Sequence, residues 1–349
     1  MISTLVVEDS RTVRQYLCAL IDDDPELELI GTAVDGLDAV AKVKSLQPQV
    51  VIMDIEMPKL DGIGATRLIM AENPVPIVVC SANLTQNLAE KSYRAIAAGA
   101  LLAVVKPKAP GAPGAQAMVK NLLHKVRLMA AVKVVRRTSS RGGHESLQTS
   151  LSAAEEVFLH RLKKLAPAYV VIGASTGGPP ALALILKKLN VDFPVPILIV
   201  QHISRGFLEG MLHWLQSCTA LPLHIARQGE RPLPGNIYFA PDDCHLELGS
   251  NQLLSLRKGP EEYSVKPSVA HLFRSLARSE APPALGILLS GMGRDGALEL
   301  LAMRERKQLT IAQDESSSVV NGMPGEAARL GAAHIRLNPE AIAELLIHL

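Results

Sequence analysis

Tyr169-Val-Val-Ile-Gly-Ala-Ser-Thr-Gly-Gly178 decides how the second half of this 349-residue chain reads. An apolar, β-branched run stops abruptly at Gly173, a serine follows between small residues, and a helix-like segment begins at Pro179. That is a strand, a tight turn and a helix, with Ser175 at the turn. Residues 173–177 fit the G-x-S-x-G pattern of a nucleophile elbow. Small neighbours let the turn close and let a carbonyl approach the hydroxyl. The amides that open the following helix can hold a developing oxyanion. The competing reading is an ordinary strand-to-helix turn capped by Ser175.

A nucleophilic serine needs a base, and the base needs an orienting carboxylate. Pro196-Ile-Leu-Ile-Val-Gln-His202 reads as a second buried strand that ends in a histidine. Leu285-Gly-Ile-Leu-Leu-Ser-Gly-Met-Gly-Arg-Asp-Gly296 reads as a third, ending in a glycine-rich turn with an aspartate. Ligands of open α/β sheets bind outside the carboxyl ends of the strands, so Ser175, His202 and Asp295 can share one crevice. Their chain order, Ser-His-Asp, differs from the Ser-Asp-His order of α/β-hydrolases and argues against that fold. Asp314 rivals Asp295, because it too follows an apolar run, residues 309–313. The glycines beside Asp295 favour it, and a helix N-cap is the alternative for either. His213, His224 and His245 fall in helix- or strand-like segments and read as structural.

The first third carries a different chemistry. Apolar strands end in Glu8-Asp9, in Asp54, in Ser81 and in Lys106. In a parallel sheet these ends share one edge. Three carboxylates together repel unless a cation sits among them, and an all-oxygen site with few protein contacts suits Mg²⁺. Capping residues after four successive strands are the alternative.

On these residues the chain resembles a known family along nearly its whole length. The VEDS run at Glu8, IMDIEMPKLDG at Asp54 and KP at Lys106 resemble a response-regulator receiver. GASTGGPPAL, QHIS, LPGNIYFAP, KPSV, LSGMGRDGA, AQDE and GMP resemble the catalytic domain of the chemotaxis protein-glutamate methylesterases, the CheB family. The resemblance implies a flavodoxin-like doubly wound receiver over residues 1–127. A linker over 128–166 and a second α/β domain with a mostly parallel sheet over 167–349 would follow. It implies Ser175 as nucleophile, His202 as base and Asp295 as orienter, with the amides of Thr176 and Met292 beside the oxyanion. In the receiver it implies phosphorylation of Asp54, Mg²⁺ held by Glu8, Asp9, Asp54 and the Glu56 backbone, and phosphoryl contacts from Ser81 and Lys106. The implied activity is hydrolysis of glutamate methyl esters, and deamidation of glutamines, on the cytoplasmic helices of chemoreceptors. A chemotaxis histidine kinase would be the phosphodonor, and the esterase would need no cofactor. Two positions depart from the pattern: receivers carry an aromatic where this chain has Ala103, and more commonly Asp where it has Glu8. The usual aromatic switch is therefore missing.

Composition sets the outer bounds. The length suggests two ordinary domains, and 48% hydrophobic residues suffice for two cores. A net charge of +2 gives no general pull toward nucleic acid or anionic membrane. Basic residues at 133, 136, 137 and 141 lack interleaved aromatics, and no helix-turn-helix with a basic face follows them, which argues against nucleic acid. Cys18, Cys80, Cys218 and Cys244 have no paired spacing and suit a reducing cytosol. An acidic pair within ten residues of Met1 is unlike a signal peptide, and no run is long enough to insert in a bilayer. Helices are expected over 38–46, 64–71, 116–135, 153–165 and 339–349, a flexible linker over 136–144, and a hairpin insert across 235–256.

Overall fold

The computed structural model describes residues 1–81, 86–132, 134 and 152–349; the expected flexible linker at 136–144 lies outside them. The chain divides into two compact units, Met1–His144 and Glu145–Leu349.

The first unit alternates β1 (Ile2–Val7), α1 (Arg11–Asp22), β2 (Leu27–Ala33), α2 (Gly36–Leu46), β3 (Val50–Met53), α3 (Gly62–Glu72), β4 (Ile77–Ser81), α4 (Gln86–Ala98), β5 (Leu102–Val105) and α5 (Ala115–Ala130). The strands form one parallel sheet in the order β2-β1-β3-β4-β5. That is the doubly wound, flavodoxin-like order. All four residues of β3 are buried, as expected of a strand covered by helices on both faces. Helix starts are fixed locally. Asp35 accepts from the amide of Asp38 at 2.9 Å and Asp61 from that of Gly64 at 2.7 Å. The last helix is shorter than expected, closing at Ala130 instead of 135.

The second unit opens with α6 (Ala153–Leu165), set by a capping box in which Ser152 and Glu155 satisfy each other's amides. It continues through β6 (Tyr169–Ala174), α7 (Gly178–Leu186), β7 (Ile197–Gln201), α8 (Leu208–Gln216), β8 (Leu223–Ile225), β9 (Ile237–Phe239), β10 (His245–Leu248) and β11 (Leu254–Arg257). It closes through α9 (Val269–Leu276), β12 (Ala284–Leu288), α10 (Ala297–Glu305), β13 (Leu309–Gln313), α11 (Met323–Arg329), β14 (Ile335–Leu337) and α12 (Pro339–Leu346). Seven parallel strands run in the order β14-β13-β12-β6-β7-β9-β8. Of the strands named here, only β10 and β11 pair antiparallel, as a separate hairpin. The expected hairpin insert across 235–256 is therefore smaller, because residues 237–239 leave it to join the main sheet beside β7. The helix expected within the linker, α6, packs on β14 and buries Phe158 and Leu162. One core of this unit runs from Val171, Leu198 and Leu288 on the sheet to Val269, Leu272 and Phe273 of α9.

Chain order makes the switch point visible. After β7 the chain builds outward through β9 and β8, then returns to the other side of β6 with β12. The crevice at the carboxyl ends of β6, β7 and β12 follows from that reversal. In the first unit the reversal falls between β1 and β3, above Glu8, Asp9 and Asp54.

A Cβ at Gly62 would lie 2.0 Å from the carbonyl oxygen of Asp54. Gly62→Ala must therefore displace the backbone that carries the Asp54 side chain. We expect a loss of roughly 1–3 kcal/mol, read as a lower urea midpoint.

Candidate active site

Ser175 and His202 owe their proximity to strand register. Ala174 of β6 pairs with Gln201 of β7, so Ser175 and His202 are the next residues on two neighbouring strands, about 5 Å apart across the ladder. The amide of His202 donates to the carbonyl of Ala174 at 2.8 Å and that of Ser175 to the carbonyl of Ser290 at 3.0 Å. The second bond ties the β6 turn to the segment after β12. Gly177, at φ +81°, then turns the chain into α7, a conformation that disfavours any residue with a Cβ.

Two residues that apolar patterning does not single out hold this turn. Gln201 uses both amide hydrogens, donating to the carbonyls of Ser175 at 2.9 Å and His202 at 2.8 Å. Ser290 donates through its hydroxyl to the carbonyl of Thr176 at 2.7 Å and accepts from the amide of Val320 at 2.9 Å. Nothing in a strand's sequence marks such residues, since their partners are distant in the chain.

His202 and Asp295 meet directly, with Nε2 of His202 2.8 Å from Oδ2 of Asp295. Asp295 is 2% exposed and accepts further bonds from the Ser268 hydroxyl at 2.8 Å and the amides of Val269 at 2.7 Å and Ala270 at 3.0 Å. Burial alone raises a carboxyl's pKa, but the bonds from His202, Ser268 and Val269 outweigh it and hold Asp295 below its ordinary range. The carboxylate stays ionised and immobile. Asp314 serves elsewhere. Its Oδ1 accepts from the Ser317 amide at 2.7 Å and the Ser316 hydroxyl at 2.9 Å, shaping its own turn. With Nε2 of His202 committed to Asp295, Nδ1 is the nitrogen left to accept a proton.

Thr176 follows Ser175 in the chain and Met292 follows Gly291, and the amides of both donate to no other group among the described residues. A Cβ at Gly291 would stand 2.7 Å from that of Ser175, so glycine is what lets the β12 turn approach the serine. Gly293 borders open space. The other two histidines in strand-like segments have structural partners: His224 bonds Asn236 at 2.8 Å and His245 bonds the Pro260 carbonyl at 2.9 Å. An open groove of about 530 Å³ lined by Asn321, Arg329 and Arg336 contains none of Ser175, His202 and Asp295.

In the first unit Glu8, Asp9 and Asp54 present carboxylate oxygens within 4.8 Å of one another. Lys106 Nζ lies 2.7 Å from Glu8 and 2.8 Å from Asp54. Burial pushes the carboxyls of Glu8 and Asp54 above their usual range, against the pull of the ammonium. Burial works against the charge on Lys106 too, but its bonds to Asp54 and Glu8 raise its pKa. The Ser81 hydroxyl is buried without a hydrogen-bond partner among the described residues. The Glu56 carboxylate pairs with Lys91 at 2.6 Å, which leaves the backbone as what Glu56 can offer a cation. An acidic trio, one ammonium and an unsatisfied hydroxyl fit a divalent ion together with an incoming oxyanion.

Comparison with known proteins agrees with this division. Residues 170–346 match the CheB methylesterase family and residues 4–112 the response regulator receiver domain. A protein-glutamate methylesterase/protein-glutamine glutaminase of Nitrosospira multiformis is 46% identical, over 100% of this chain and 97% of that protein. One from Geobacter metallireducens is 45% identical, over 100% of this chain and 99% of that protein. The crystal structure of the Thermotoga maritima CheB methylesterase catalytic domain is 34% identical with a TM-score of 0.49, covering 52% of this chain and 97% of that one. Matched along its full length by such relatives, and over half of it by the family itself, the chain belongs to the CheB methylesterase family.

Proposed function

We propose that the protein is a phosphorylation-regulated serine esterase that removes methyl groups from glutamate side chains of chemoreceptors, and deamidates glutamines at equivalent sites. The receiver spans 1–127 and the methylesterase domain 167–349, joined by a linker over 128–166. The observation that carries the reading is the buried, four-donor Asp295 bonded to Nε2 of His202 one strand from Ser175. The relatives' names supply the substrate class.

In this reading His202 Nδ1 takes the Ser175 proton as Oγ attacks the ester carbonyl. The carbonyl oxygen becomes an oxyanion facing the amides of Thr176 and Met292. Nδ1 then returns the proton to the departing methoxide and methanol leaves, with the acyl group bonded to Ser175. Water attacks the acyl carbon, giving its proton to Nδ1, and Oγ leaves with that proton to free the glutamate side chain. Asp295 holds one imidazole tautomer throughout and stabilises the imidazolium. A carboxymethyl group is small, so a shallow slot bordered by Gly177, Gly291 and Gly293 suffices.

In the receiver, Glu8, Asp9, Asp54 and the Glu56 backbone would hold Mg²⁺, which would supply charge neutralisation for phosphorylation of Asp54 by a chemotaxis histidine kinase. Lys106 and Ser81 contact the phosphoryl oxygens. A cytosolic location belongs to this reading through the chemoreceptor helices it acts on. None of the helices among the described residues is long and apolar enough to cross a membrane. A catalytically silent regulatory module is the alternative from another class, and turnover separates the two.

Methanol release from methylated receptors tests the site. Ser175→Ala should abolish it with an unchanged thermal midpoint, because only a turn hydroxyl is lost, and His202→Ala should be as damaging to turnover, because nucleophile and base act as a unit. Asp295→Asn should lose activity by on the order of 10⁴, as wrong-tautomer serine enzymes do, while Asp314→Asn stays within a few fold. Wild-type turnover by Ser175→Ala would remove the assignment.

Regulation is tested by adding Mg²⁺ and acetyl phosphate to the full chain. Activity should rise, and Asp54→Asn should not respond. An equal response from Asp54→Asn would put the control elsewhere.

Mg²⁺ affinity should fall as pH drops below neutrality. Burial raises the pKa values of Glu8 and Asp54, so their carboxyls take up protons at a higher pH than ordinary carboxylates do, and metal must then displace them. Calorimetry in buffers of different ionisation heat should register proton release on binding at the lower pH. Affinity constant across the range would show that these carboxyls are not ligands.

A further inference from the structure

Asp295 is held by more than its histidine. Its other donors come from one place, the start of α9, where Ser268 is the N-cap. An N-cap hydroxyl needs only to accept an amide of the first turn, and Ser268 does so, taking the amide of Ala270 at 3.2 Å. Its single hydroxyl hydrogen is therefore free for another purpose, and it goes to Oδ1 of Asp295 at 2.8 Å. The Val269 amide takes the other oxygen, Oδ2, the same atom that His202 engages. The carboxylate is thereby fixed in rotation as well as in place.

Ser268 is in turn held from the hairpin. Its amide donates to Nδ1 of His245 at 3.2 Å. The other nitrogen of His245, Nε2, lies 2.9 Å from the Pro260 carbonyl, which only accepts. Nε2 must carry the proton, and Nδ1 must be the bare acceptor. His245 is fully buried, and burial lowers its pKa, which keeps that neutral tautomer. His271 stacks on it with centroids 3.8 Å apart, and the nitrogens of His271 are held by Glu247 at 2.9 Å and Glu262 at 3.0 Å. Val269 wedges the helix start against the sheet: a Cβ at Gly173 or Gly296 would come within 2.3 or 2.5 Å of its Cγ1.

We propose that Ser268 and His245 are positioning residues of the esterase: His245 holds the amide of Ser268, and Ser268 with the first turn of α9 holds Asp295 in the orientation His202 requires. The inference rests on Asp295 being the orienting carboxylate. It gives the β10–β11 hairpin a part in catalysis, although it lies outside the main sheet.

Methanol release should be measured for Ser268→Ala, Asp295→Asn and the double variant, with thermal midpoints alongside. Ser268→Ala removes one oxygen and should fold. Its kcat should fall about ten- to a hundredfold, the effect of losing one hydrogen bond to a charged group, with KM within about twofold. In the Asp295→Asn background the same change should cost nothing more, because residues acting as a unit are not additive. His245→Asn, whose amide oxygen can stand near the Nδ1 position, should retain more kcat than His245→Leu. The inference is overturned if Ser268→Ala turns over like wild type while Asp295→Asn is impaired. It is equally overturned if Ser268→Ala lowers the rate by the same factor in both backgrounds, which marks a general structural role. Wild-type turnover by Asp295→Asn would instead remove the reading of Asp295 itself.

Discussion

The parallel backbone ladder joining β12, β6 and β7 is the constraint on which the reacting centre depends. Leu288 stands opposite Gly173, and Ala174 opposite Gln201. Because side chains alternate along a strand, a slip of one residue would turn each strand-end residue to the other face. Ser175, His202 and the Asp295 turn converge only in the register found. Buried backbone groups enforce it, since a misregistered central strand leaves N–H and C=O groups unpaired away from water. Gln201 and Ser290 extend the ladder past its ends, tying turn to turn where regular pairing stops.

Two buried aspartates show how the same burial serves different chemistry. Asp295 and Asp54 both bear a desolvation cost, yet their carboxyls shift in opposite directions. Asp295 has a hydroxyl, two amides and an imidazole, and remains a fixed anion. Asp54 has one ammonium and one amide and stands among other carboxylates. The first environment suits orientation and the second invites a cation and a phosphoryl group. Ala103, opposite Val79 in the receiver sheet, has no ring with which to report that event. The Glu56–Lys91 ion pair is a direct tie between the loop after Asp54 and α4.

Much of this was legible along the chain. Continuous apolar runs punctuated by Ser, His, Asp and Lys announced two parallel sheets, because strands covered on both faces have no polar side to show. The candidate residues were legible for the same reason: a polar residue directly after a buried run falls at a strand end. Boundaries were less so. Apolar spacing alone carried the last receiver helix to 135, whereas it ends at Ala130. Residues 237–239 read as part of a hairpin because three-residue strands carry no periodicity long enough to choose a partner.

Fold class, strand ends and the family to which the motifs belong were all readable from the chain, since each is written in local pattern or in long contiguous runs. Packing settled what local pattern cannot encode. His202 faces Asp295 and not Asp314, although both aspartates follow strands, because β12 returns beside β6 while β13 lies one strand farther out. Ser268 stood in plain view in the KPSV run with no role attached. Its purpose appears only when α9 docks on the sheet and brings a cap hydroxyl and two amides around one carboxylate, with the imidazole of His245 behind them. Hydrogen bonds act over about 3 Å, and which residues come within that reach is a property of the packed chain.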